Sequence, residues 1–177
     1  FTITLGLILG VFFITLFFQL VFFEEFYLYK KKDYLLNQAN EFRYMYSYQI
    51  HNNEVLSDAL TNYEEKNSSR VAIIPLNRND VVYVSNNQNS DNTFSTLTNF
   101  CAELLYNTKL INTVLDENAP LATIFTNRSS NTKQIGIISP MSLQNNNDAL
   151  FISVSSIQPI KEASSVIKTF YFYMLIG

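Results

Sequence analysis

Apolar and polar positions divide this chain into three parts. Residues 1–23 form an uncharged apolar run, a second apolar run starts after Lys168, and the polar positions lie between them. A helix rises about 1.5 Å per residue, so the first run would extend roughly 34 Å, against a hydrocarbon core of about 30 Å. It is expected to span a bilayer. Its polar members, Thr2, Thr4, Thr15 and Gln19, carry no charge and can bond their own backbone or face another helix. A cleaved signal peptide fits less well, because the run exceeds an ordinary h-region and no small-residue cleavage site follows it. The second run is too short to span alone and breaks off without a cap or a charge. With the absent starting Met, this reads as a fragment. Its expected parts are transmembrane helix 1 at 1–23, a domain at 24–158, and a junction with a truncated second transmembrane helix at 159–177.

Between the runs the period changes several times. Residues 33–66 contain no Gly or Pro, and Leu35, Ala39, Phe42, Tyr46, Ile50, Leu56, Leu60 and Tyr63 recur mostly three or four apart. One long amphipathic helix is expected, continuous with the first apolar segment from about residue 26. Its stripe partly follows a heptad seam that Asn53 interrupts, which suits either a dimer contact or packing on its own domain. Extended segments follow at 71–75 and 81–85, joined by a turn at 77–80. Asp91 or Asn92 can cap a second helix marked by Phe94, Leu97, Cys101, Leu104, Leu105, Leu110 and Val114, which ends before Pro120. Three more strands are predicted at 121–126, 134–141 and 149–155, the last alternating Leu150, Ile152 and Val154 against Phe151, Ser153 and Ser155. A final helix starts near Pro159. The order gives an α+β class, an antiparallel five-stranded sheet with helices on one face.

Composition narrows the chemistry. The formal net charge of −3 leaves no nucleic-acid footprint. Cys101 is the sole cysteine, so no intrachain disulfide forms, and its apolar helical face suggests a small core residue. One His and one distant Cys offer zinc no ordinary ligand set. Gly136 is the only glycine between the apolar runs, so no Gly-rich phosphate loop exists. The Asn, Ile, Tyr and Lys bias looks like that of an AT-rich bacterial genome, which makes the sequons at Asn67 and Asn127 accidents of composition.

Two stretches carry a resemblance. FFEEFYLYKKKDYLLNQAN, residues 22–40, is similar to the juxtamembrane start of many Gram-positive sensor kinases, and ALFISVSSIQPIKEASSVIKTFYFY, residues 149–173, resembles the last strand of such sensors and its lead-in to the second membrane helix. The chain thus resembles the input half of a two-component sensor histidine kinase with a PAS-like domain of the single-Cache type; residues 54–147 match only in element order. The resemblance implies a two-pass protein of the bacterial cell membrane, in contact with membrane lipid, with residues 24–168 extracytoplasmic. It also implies a homodimer, an extracellular ligand or envelope signal, and a cognate response regulator served by a kinase region beyond residue 177. ATP and Mg belong to that region, and no cofactor is expected in this stretch. The signal would pass through the 26–66 helix and the 159–177 helix. Lys30, Lys31 and Lys32 stand against the proposed orientation by the positive-inside rule, unless further basic residues precede residue 1. His51, followed by Asn52 and Asn53 with no Pro, departs from the family's phosphoacceptor pattern.

The junction has a physical basis. Pro159 suits a first helical turn, and Glu162 there favours the positive helix end, so the stretch from Ser156 should pass rigidly from strand to helix. A small-molecule site is expected in a hollow between the sheet and the helix from Phe94, where Arg70, Arg78, Tyr83 and Arg128 could hold an anion or could equally be solvated strand-edge residues. The sensor region of a chemoreceptor or cyclase, a non-enzymatic membrane adaptor, and a pilin-like structural protein stay open. The pilin reading is weakened by Leu5, where pilins carry Glu.

Overall fold

The computed structural model describes residues 2–47, 53–76, 82–85, 91–128, 130–143 and 147–176. Its elements run α1 (Thr2–Tyr46), α2 (Asn53–Asn67), β1 (Ser69–Pro75), β2 (Tyr83–Val84), α3 (Asp91–Tyr106), α4 (Thr108–Glu117), β3 (Leu121–Asn127), β4 (Thr132–Leu143), β5 (Asn147–Ser156) and α5 (Gln158–Ile176). The chain divides into two compact units, residues 32–156 and a second made of 1–31 with 157–177.

The larger unit is built on an antiparallel sheet of order β2-β1-β5-β4-β3. Four long strands carry it. β2 adds only a two-residue rung on the outer edge of β1, through Ala72 opposite Val84 and Ile73 opposite Tyr83. β5 occupies the centre: Val71 and Ile137 both pair with its Ser153, and Ala72 and Ile138 both pair with its Ile152. Alternation then sends even and odd positions of β5 to opposite faces.

One face receives α3 and α4. Leu97, Phe100 and Leu104 of α3 and Val114 of α4 pack with Ala72, Phe125, Ile138, Leu150, Ile152 and Val154. The Phe100 ring stacks on Phe125 at 4.6 Å and lies over Gly136, whose missing side chain makes room for it. The other face carries a three-ring cluster. Phe42 of α1 stacks on Phe151 of β5 at 4.6 Å, and Tyr63 of α2 meets both edge-on, at 5.5 and 5.1 Å. Helices cover both faces, where the sequence order suggested one.

Helical stretches are divided more finely than their spacing predicted. The long helix expected over 26–66 ends at Tyr46, and α2 begins anew at Asn53, the residue that interrupts the apolar seam. The second helix breaks at Asn107, whose φ of −118° and ψ of 65° leave the helical region; its N–H still reaches Glu103 O and Leu104 O at 3.1 Å. His51 and the turn at 77–80 lie outside the described residues.

The expectation of a PAS-like or Cache five-stranded sheet flanked by two transmembrane helices is corrected on both counts. The fifth strand, expected over 81–85, pairs at two residues only, between polar flanking segments. Among the described residues no helix is long and apolar enough to cross a membrane. Lys161, Glu162 and Lys168 interrupt α5 and leave too short an uncharged stretch after them to span a bilayer. A two-pass placement with residues 24–168 extracytoplasmic therefore has no support from these helices.

Candidate functional site

Among the described residues, apolar side chains fill the place where a hollow between the sheet and α3 was expected. Phe100 is fully buried there, with Leu97 and Leu104 on either side of it along α3, so that face is core. Cys101 beside it is half-buried, and burial pushes its thiol pKa up and keeps it protonated.

An open pocket instead lies at one end of the sheet, with a volume of about 370 Å³. Four elements build it. The last turn of α1 brings Arg43 and Tyr44, and Ser47 follows it; α4 brings Leu115 and its capping residue Asn118; β4 brings Pro140, Met141 and Ser142; β5 brings Asp148 and Ala149. Local sequence explains each position. Phe42 must face the core, which leaves Arg43 beside it at the domain's rim. Asn118 ends α4 in the left-handed region, φ 48° and ψ 41°, a conformation Asn adopts more readily than other side-chain-bearing residues. Ser142 and Asp148 are cross-strand partners near the end of the β4–β5 pairing.

Arg43 bridges two of the elements at the pocket's rim. Arg43 Nη1 donates to Asn118 O at 2.7 Å and Nη2 donates to Asn118 Oδ1 at 2.5 Å, so the guanidinium grips the exposed end of α4 as a fork. Its planar face also rests near the Tyr44 ring, 5.8 Å from the centroid. Among the described residues the site presents one cation, Arg43, one exposed carboxylate, Asp148, several neutral hydrogen-bonding groups, and an apolar wall of Leu115, Pro140, Met141 and Ala149.

The residues singled out from sequence lie elsewhere. Arg70 sits on β1 and pairs with Glu64, Nη1 to Oε2 at 3.4 Å. Glu64 is itself buried and accepts the Val71 N–H at 2.9 Å. Arg128 follows β3, is 70% exposed, meets Glu103 at 3.9 Å and rests over the Tyr106 ring. With β5 and β4 between β1 and β3, about 14 Å at ordinary strand spacing, Arg70 and Arg128 do not form one anion site. Tyr83 is placed on β2 opposite Ile73, and Arg78 lies outside the described residues. At the junction, Ser156 ends β5, Pro159 is the second residue of α5, and Glu162 accepts a bond from Gln158 Nε2 at 2.9 Å.

Both sequon asparagines are buried, Asn67 at 2% and Asn127 at 3% exposure, so neither presents its amide to a glycan transferase. Asn127 instead accepts from Asn99 and donates to Thr96, tying α3 to β3. Among the described residues no cluster of His, Cys, Asp and Glu could hold a metal ion. No protein-family model matches the chain, and no curated protein matches it.

Proposed function

We propose that this chain is the signal-input region of a two-component sensor histidine kinase, working as a homodimer whose kinase region addresses a response regulator. The observation that carries the reading is the route of β5. This strand holds the middle of the sheet, borders the candidate pocket through Asp148 and Ala149, and passes through the single residue Ile157 into α5. On this reading a shift of β5 would reach α5 through that one-residue joint. The resemblance of residues 149–173 to the output end of such sensors points the same way. ATP and Mg serve the kinase region of this reading.

The test is phosphorylation of the full-length protein. Autophosphorylation on a histidine outside this chain is expected, and two glycines inserted after Ile157 should uncouple it from the stimulus while the sheet stays folded by circular dichroism. A full-length protein that transfers no phosphoryl group to histidine would overturn the reading.

A further inference from the structure

Resting on that sensory reading, we propose that the pocket at the end of the sheet takes a small zwitterion, one carboxylate and one ammonium group on a short apolar body, of which an α-amino acid is the simplest form. Charge balance carries the argument. Arg43 offers the planar fork that matches a carboxylate, and Asp148 offers an exposed carboxylate to an ammonium group. A plain anion would meet Asp148 and also the C-terminal end of α4 at Asn118, where the helix carries partial negative charge. A plain cation would meet Arg43. A molecule with both charges satisfies both groups, and its body has the Leu115, Pro140 and Met141 side chains to rest on. A volume of about 370 Å³ suits such a small molecule.

The same geometry supplies a response. Asn118 gives Arg43 two neutral acceptors, and an ionised carboxylate makes roughly twice as strong a bond. Ligand binding therefore draws at least one arm of the guanidinium off Asn118 and loosens the tie between the end of α4 and α1. Occupancy at the pocket thereby becomes a change in how two helices, one on each face of the sheet, are tied together.

The experiment is calorimetric titration of the chain with L-alanine, L-valine and L-leucine. Each is compared with its decarboxylated amine and its N-acetyl derivative, and thermal melts confirm that every variant folds. At least one amino acid should bind, with both of its derivatives at least tenfold weaker, and Arg43→Gln and Asp148→Asn should each weaken it at least tenfold. The ligand class is overturned if none of the three binds, if the N-acetyl form or the amine binds as well as its parent, or if both variants bind like the unaltered chain. Binding without any effect on full-length autophosphorylation would sink the signalling reading and leave the ligand class standing. A regulated kinase that binds none of the three amino acids would do the reverse.

Discussion

Gly136 marks the closest approach of helix to sheet. A Cβ built there would clash with the outer edge of the Phe100 ring, so any side chain must push α3 outward or drive the ring from its rotamer. Gly136→Ala is expected to cost about 1–3 kcal/mol, the usual range for overpacking, read as a lower denaturation midpoint. Adding Phe100→Leu should recover part of that loss, which separates steric conflict from a backbone effect of alanine. Tyr63 sets a different limit. Burial pushes its phenol pKa above the ordinary value, the neighbouring Ser153 pulls slightly the other way, and Tyr34 raises it further. The hydroxyls of Tyr63 and Ser153 are both buried without well-formed hydrogen bonds, so little offsets the desolvation. Because the folded value lies above the unfolded one near 10, the unfolded chain holds fewer protons at high pH. Tyr63's contribution is fully present below about pH 10 and is lost as pH rises beyond it. Base titration of stability should show this fall in the unaltered chain and a shallower one in Tyr63→Phe.

At the scale of elements, the caps and breaks decide what a local pattern reveals. β5 was legible because Leu150, Ile152 and Val154 alternate with Phe151, Ser153 and Ser155, and both sets are buried, as a central strand with helices on each side requires. The break at Asn107 left only a faint mark, a slip to five positions between Leu105 and Leu110 in the otherwise three- or four-residue spacing, with no Gly or Pro to announce it. The pocket escaped for another reason. Arg43 and Asn118 are 75 residues apart, and nothing near either residue announces the other. Asn118 itself, two residues before Pro120, did carry the signal of a helix end. Asn118→Ala should cost about 1–2 kcal/mol, from the left-handed conformation that alanine resists together with the lost Oδ1 bond to Arg43. Asn118→Gly keeps the conformation and loses that bond together with some backbone entropy. Thermal melts of the two variants should therefore rank Gly above Ala.

For the whole molecule, the division into two units makes a prediction about independence. Residues 32–156 hold both faces of the sheet, the aromatic cluster and the Arg43–Asn118 fork. A chain restricted to those residues should unfold in one cooperative step with dispersed amide resonances; a broad, non-cooperative melt would show that the other unit is needed for its fold. The apolar run at 1–23 was plain in the sequence, yet an apolar run alone did not fix where the chain resides.

The strand order has one more consequence, and it concerns time. β1 and β4 never pair with each other; each pairs with β5, the last strand made. During synthesis the ribosome therefore releases two half-sheets, β2-β1 and β4-β3, that have no edge in common until residues 147–156 emerge. At about 5–20 residues per second, the first half waits on the order of several seconds with its inner edge open. In that interval the nascent chain is most exposed to chaperones and to wrong strand partners, and arrival of β5 ends it.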